Sequence, residues 1–176
     1  VKKKECDMEM DYNKIYNKIL TDEEFMEIKQ HGSSAYPFQY YYDNLELFDF
    51  HCIEWHWHRE FEFLYVESGQ VTCGIGEKQI ILSEGEAIFI NSKILHRFYA
   101  PSGGIIPNFV CMPEFIAPEN SLIYKKYILP IISSNIYFQR FQTDELWQTK
   151  IIQTMIKIME IQGNEKIREL ATLALM

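Results

Sequence analysis

Between Ser33 and Met112 the chain alternates short runs rich in Phe, Tyr, Ile and Val with turn-forming pieces: SSAYP, DN, RE, ESG, GEK, SEGE, NSK and PSGG. Short strands at such regular spacing predict a sandwich or barrel. The hairpin QVTCGIGEKQIIL, with Gly76 at its turn, is the clearest single element. Before this region, TDEEFMEIKQHG carries a helix-start signature: Thr21 as N-cap, Glu24 closing a capping box and Gly32 as the stop. After Pro113 the periodicity turns helical. SLIYKKYILP predicts a short helix stopped before Pro130. DELWQTKIIQTMIKIMEIQG predicts an amphipathic helix begun at Asp144, with Trp147, Ile151, Ile152, Met155 and Met159 as its apolar stripe. Gly163 and Asn164 break it, and NEKIRELATLALM starts a second helix with no stop signal. The expected organisation is therefore an N-terminal arm and helix over 1–32, a barrel over 33–112, and a return segment with a helical pair over 113–176. The open last helix reads as part of a longer protein.

Composition narrows the function classes. The 176 residues suit one domain, and 47% hydrophobic and 15% aromatic residues are ample for a packed core. No apolar run approaches the roughly 20 residues that span a bilayer, and VKKKECDMEMDYNK has charges where an export signal needs an apolar stretch. A cytoplasmic protein with no membrane partner is expected. Cys6, Cys52, Cys73 and Cys111 lie far apart with no CxxC spacing, so buried free thiols are expected rather than disulfides. The formal net charge of −8 removes a general electrostatic attraction to nucleic acid. No nucleophile–base pairing is visible, and GIGEKQ is a hairpin turn rather than a dinucleotide motif because no helix follows.

The chemistry concentrates in HWHREFEFLYVESG, residues 56–69. In an extended strand His56, His58, Glu60 and Glu62 share one face, while Trp55, Trp57, Phe61, Phe63 and Tyr65 share the other. That alternation alone describes a strand with a wet face and a core face. A distant second piece, SEGEAIFINSKILHRFYA, changes the balance by bringing His96 on a strand of its own. Three imidazoles and a carboxylate from neighbouring strands make an N3O set suited to Zn, Ni, Fe or Mn. Trp55, Trp57 and Tyr65 offer stacking faces, but strand aromatics more often pack in a core. Arg97, on the opposite parity from His96, is expected on the outer face. Met155 and Met159 are expected in core or dimer packing rather than in a promiscuous groove.

On these residues the chain resembles the cupins. The HxH-x3-E-x6-G pattern is met by His56, His58, Glu62 and Gly69, without the glycine that usually precedes it. Of the second cupin pattern Gly85 and His96 match, whereas Asn91, Lys93 and Ala100 stand where Pro, Gly and Asn are usual. The resemblance implies a mainly β fold: a double-stranded β-helix (cupin or jelly-roll barrel), with the short N-terminal helix and the C-terminal antiparallel helical pair added to it. More narrowly, EWHWHREFEFLYVESGQVTCGIG, GEAIFINSKILHRF and SLIYKKYILP resemble the sensor half of AraC-family (arabinose-operon-type) transcriptional regulators, from about Ser33 to the end. That implies a small polar effector, a sugar among the candidates, held by His56, His58, Glu62 and His96 with Leu64 and Phe98 beside them. It implies no required cofactor, though the same four polar residues would accept a divalent metal. It also implies a homodimer, and DNA contact only through a helix-turn-helix domain expected beyond residue 176.

A sensor without enzyme activity is thus the leading expectation, and a small metal-dependent cupin enzyme, an isomerase or dioxygenase, is the rival. The helix from Asp144 to Gln162 carries Ile151, Ile152, Met155, Ile156, Ile158, Met159 and Ile161 around much of its circumference. It therefore needs cover on two sides, from the barrel and from a second copy or the following helix. Because this chain is acidic and offers no recognition helix in a basic setting, residues 1–176 alone are expected not to bind DNA specifically. Sequence-specific, salt-sensitive retardation in a gel-shift assay would contradict that.

Overall fold

A computed structural model describes residues 18–176; Cys6 and the charged start of the chain lie outside the described residues. Nine strands run antiparallel: β1 Phe38–Asn44, β2 Cys52–His56, β3 Phe61–Tyr65, β4 Ser68–Ile75, β5 Lys78–Ser83, β6 Ala87–Ile90, β7 His96–Tyr99, β8 Gly104–Cys111 and β9 Phe138–Phe141. One layer has the order β1-β8-β3-β6-β9 and the other β5-β4-β7-β2. The two are stitched where Ser68 and Gly69 of β4 pair with Ile105 and Gly104 of β8. Gly69 sits at φ 86, and a Cβ there would lie 2.9 Å from the Gly103 carbonyl oxygen, so only glycine lets the two backbones meet. This is the expected mainly β cupin barrel, and a C-terminal helical pair follows it. The sandwich also continues past residue 112, because β9 adds to β6. Arg140 of β9 grips Glu86 beside β6 with two hydrogen bonds of 2.6 and 2.7 Å.

Alternation in β3 feeds two separate cores. Leu64 points into the barrel with Val66, Val71, Ile75, Leu82, Ile90 and Phe98. Phe61 joins Phe38, Phe109 and Phe141 in a second core on the outer face of the same layer, with Phe63 and Tyr65 packed against it. Helix α3, Leu146–Ile161, seals that second core through Ile152, Met155, Ile158 and Met159, each contributing about 1.5–3 kcal/mol by leaving water. Helix α4, Arg168–Leu175, packs on α3, and Gln162 donates to Thr172 Oγ1 at 2.9 Å. No helix among the described residues is long and apolar enough to cross a membrane. Cys52, Cys73 and Cys111 are free and buried, and burial pushes the Cys52 thiol up to about 11.

Four expectations are corrected. The first is the helix over 21–32, which does not form. Asp22 accepts from the Glu24 and Met26 amides, Phe25 turns at φ 64, and the segment doubles back between Thr21 and Glu27. It then pairs with the end of β2: Glu27 donates its amide to the Trp57 carbonyl, and the Trp57 amide donates to Phe25, both at 2.9 Å. An Asx turn plus a free strand edge outcompetes a helix of marginal length. The second is the continuous strand 56–65, which is broken: β2 ends at His56, and residues 57–60 carry the chain from one layer to the other. The third is the stop before Pro130. The helical segment runs through it, as a wide turn over Tyr124–Ile128 followed by Leu129–Ile132, which we call α2 after the short α1 Pro113–Ile116. The widened turn accommodates a ring that cannot donate an amide hydrogen. The fourth is Trp147, which leaves the buried stripe: it is 52% exposed, edge-on to Phe141.

The loop after β6 reaches a cupin-like turn without the usual residues. Lys93 adopts φ 62, its amide donates to the His58 carbonyl at 2.8 Å, and Ser92 Oγ donates to the Arg59 carbonyl at 2.6 Å. Asn91 anchors the other side: its Nδ2 donates to the Ile131 and Ile136 carbonyls at 2.8 and 2.9 Å, and its Oδ1 accepts from the Ser92 amide. Asn91 therefore ties this loop to the end of α2 and the segment after it, while Ser92 and Lys93 hold the crossing at residues 57–60. Asn91→Ala removes three part-buried hydrogen bonds and leaves the Ile136 carbonyl and the Ser92 amide without these partners, so a loss of roughly 2 kcal/mol is expected. It should read out as a lower urea midpoint with an unchanged slope.

Candidate metal and ligand site

The register of β2 and β7 sets His56 directly opposite His96, with ring centroids 4.2 Å apart. Each imidazole is oriented from behind. His56 Nδ1 donates to the Glu54 carbonyl at 2.8 Å, and His96 Nδ1 to the Ile94 carbonyl at 2.7 Å. With Nδ1 engaged on both rings, Nε2 is the atom each presents forward, an arrangement typical of metal-ligating histidines. His58 arrives from the crossing at residues 57–60, whose carbonyl Lys93 holds. Glu62 arrives from β3 in the other layer, on the barrel-facing parity it shares with Leu64.

The four side chains are 1–6% exposed, and one ligand atom from each lies within 4.8 Å of the others. Glu62 Oε2 stands between two rings, 3.3 Å from His58 Nε2 and 2.9 Å from His96 Nε2. The second contact is an ionic approach rather than an aimed hydrogen bond, so His96 Nε2 is a buried atom with no hydrogen-bond partner among the described residues. His58 Nδ1 is another, although Glu60 Oε2 comes to 3.5 Å. Burial, then the charge of His96, lowers the His56 pKa to about 3, so this imidazole is neutral at physiological pH. Burial alone would raise the Glu62 carboxyl, but the charge of His96 and the hydrogen bond from His58 outweigh it and hold it below the usual carboxylate range. For His96 burial works downward and the Glu62 charge upward; Glu62 wins. Glu62 and His96 thus form a compensated buried pair, in which a divalent cation can replace the proton on His96. The donor set fits a divalent metal: three imidazoles, one ionised carboxylate, oriented rings and unpartnered nitrogens.

Beside the cluster lies a cavity of 530 Å³ whose wall includes His56, His58, Glu62 and Phe98. This volume is within the range of small-molecule sites. Two expected site residues are placed differently. His96 lies behind Glu62 rather than on the wall, and Leu64 is fully buried in the barrel core, off the wall. Phe48, Ile53 and Val110 supply the apolar wall along with Phe98, while Trp55, Trp57 and Tyr65 do not line it. Trp55 stacks instead under Arg97, with the guanidinium 5.1 Å from the ring, and Trp57 Nε1 donates to the Glu24 carbonyl.

Sequence reasoning missed a second polar group on the wall. His31 Nδ1 bonds Tyr41 Oη at 2.8 Å, its Nε2 lies 3.1 Å from Glu27 Oε2, and its ring meets His58 edge-on at 5.4 Å. Asn108 donates to Asp43 Oδ2 at 2.8 Å. Two signals were available. Tyr41 and Asp43 share a parity in β1, and Asn108 interrupts an apolar strand. His31 had none, because it fell at the end of an expected helix.

Residues 52–106 match the family model described as the cupin domain. Among curated proteins, an uncharacterised HTH-type transcriptional regulator of Bacillus subtilis (strain 168), YdeC, is 25% identical over 147 residues, covering 81% of this chain and 50% of that protein. The chain thus spans half the length of this relative. Among solved structures, an RmlC-like cupin from Shewanella frigidimarina NCIMB 400 is 21% identical, with a TM-score of 0.39 over 43% of this chain and 67% of the other. A predicted oxalate decarboxylase from Thermotoga maritima is 19% identical, with a TM-score of 0.33 over 35% of this chain and 56% of the other. The chain thus carries a cupin domain and resembles a transcription regulator.

Elemental analysis of protein purified without chelator is expected to find Zn, Ni, Fe or Mn at about one per chain, the occupancy of a closed three-histidine site. His58→Ala should remove it. Metal far below that ratio would leave hydrogen bonding to a polar ligand as the role of the cluster.

Proposed function

We propose that this chain is the effector-sensing and dimerising part of a bacterial AraC-type transcription regulator acting in the cytoplasm. The observation that carries the reading is the alignment of most of the chain with half of an HTH-type regulator. The cavity is consistent with it. Its wall joins barrel residues to Glu27, Ile28 and His31 of the preceding segment, so an occupant touches both at once. A small polar molecule bound by the histidine cluster would change how firmly residues 18–31 are seated, and the regulator would read that change. DNA contact would belong to a helix-turn-helix domain following residue 176.

Dimerisation would use the helical pair, on a different face from the expected one. The barrel and α4 take up most of the apolar surface of α3. Leu146, Trp147, Ile167, Leu170 and Leu173 remain 50–76% exposed along the pair and would form the contact between copies.

A second reading, a metal-dependent cupin enzyme of the isomerase or dioxygenase kind, is favoured by the donor set itself. A divalent ion held by His56, His58, Glu62 and His96 would act as a Lewis acid on a bound oxygen.

The test uses the protein read on past Met176. A helix-turn-helix half that binds operator DNA, with retardation altered when the His58→Ala change is made in the barrel, supports the sensor. A coding sequence without a DNA-binding half, or DNA binding indifferent to every change in the cavity, removes it. Leu170→Glu together with Leu173→Glu should convert a light-scattering dimer of the chain to monomer; a dimer that ignores both places the interface elsewhere.

A further inference from the structure

Three carboxylates stand on the cavity wall: Glu27, Asp43 and Glu62. Two have imidazole partners. Glu27 lies 3.1 Å from His31 Nε2, and Glu62 lies 3.3 and 2.9 Å from His58 and His96. Asp43 has none. Its hydrogen-bond donor is the neutral amide of Asn108, and among the described residues no Lys, Arg or His nitrogen comes within salt-bridge reach of it. Lys18 and Lys29 also line the cavity, but both are exposed, and Lys29 Nζ is committed over the Tyr41 ring, 4.4 Å from its centre. Asp43 is a half-buried carboxylate with a neutral amide as its hydrogen-bond partner, two other carboxylates on the same wall, and only the distant charge of exposed Lys29 to offset its own. Burial raises the Asp43 pKa, with Glu62 and Glu27 adding to the rise, and these outweigh the Asn108 hydrogen bond and the Lys29 charge, which pull it down.

We infer that the cavity takes a small amine: a molecule whose protonated amino group pairs with Asp43 and whose short apolar stem lies against Phe48, Ile53 and Phe98. A hydroxyl at Asp43 would make the hydrogen bond and leave the charge, whereas an ammonium supplies both. The stem is set by the neighbouring wall, which is apolar at those three residues and Val110. His56 and His58 also line the cavity, so a bifunctional amine, with a second polar group besides the ammonium, fits better than a simple alkylamine. This inference names the effector class for the sensor reading and rests on it.

The test compares isosteric pairs on the 176-residue chain: putrescine against butanediol, and ethanolamine against ethylene glycol, by calorimetric titration and thermal shift. Each amine should bind and raise the melting temperature, and each diol should bind at least about tenfold more weakly, the value of one charge-assisted hydrogen bond. Asp43→Asn keeps the acceptor for Asn108 and removes the charge. It should weaken the amines about 10- to 100-fold while leaving metal content at its wild-type level. Amine binding that survives Asp43→Asn unchanged would place the amine on the metal or elsewhere and overturn the inference. So would equal response to amine and diol, or no response to either amine. If Asp43→Asn does not fold, the amine–diol comparison on the unaltered chain decides alone. Amine binding dependent on Asp43, with DNA binding of the longer protein unmoved by it, would uphold the ligand class and sink the sensor reading. DNA binding switched only by an uncharged molecule would do the reverse.

Discussion

Glu62 is an ionised carboxylate with 4% of its surface exposed, and the cost of keeping it there organises the centre of the barrel. That cost is offset only if cationic or hydrogen-bonding partners reach it from several directions. The sheet supplies them: His96 from β7, across the barrel, and His58 from the crossing between layers. Each partner is itself constrained, His96 by the Ile94 carbonyl and His58 by the Lys93 amide on its own carbonyl. A slip of one residue in β2–β7 pairing would turn His96 away and leave Glu62 charged with His58 as its remaining partner.

The same constraint explains why the loop after β6 is tied so heavily. Its turn contacts the crossing on one side through Ser92 and Lys93, and the segment after α2 on the other through Asn91. Where cupins usually place a glycine, Lys93 holds a left-handed conformation that a side chain disfavours by roughly 1 kcal/mol. The hydrogen bonds around it offset that cost. Site geometry thus depends on residues whose side chains never reach the cavity.

The cavity mixes two kinds of environment. Near the cluster, carboxylate and imidazole charges compensate one another. Along β1 and β8 the polar groups are Tyr41, Asp43 and Asn108, and compensation there is incomplete. The segment over residues 18–31 closes the side between them through Glu27 and His31. An occupant therefore meets a metal-competent end, an acidic wall and a layer of chain that is not part of either sheet.

Much of this was legible in the amino-acid sequence. Strand spacing identified the barrel, and HxH-x3-E-x6-G with a distant HRF identified the four polar residues, because inward residues of strands must be paid for chemically and leave a readable pattern. The apolar positions Ile152, Met155 and Met159 were also placed in a core by their period alone. Tertiary structure decided the rest. Residues 21–32 had the caps of a helix but met the open edge at Trp57, and a non-local pairing invisible to local periodicity won. Leu64 and His96 were both inward, yet depth in the barrel put one in the core and the other behind Glu62. Asp43 and Asn108 became neighbours only through the register of β1 on β8, 65 residues apart in sequence. A residue's face follows from a period of two along its own strand; which charge it meets across a cavity follows from strand register, and that is a property of the folded pair.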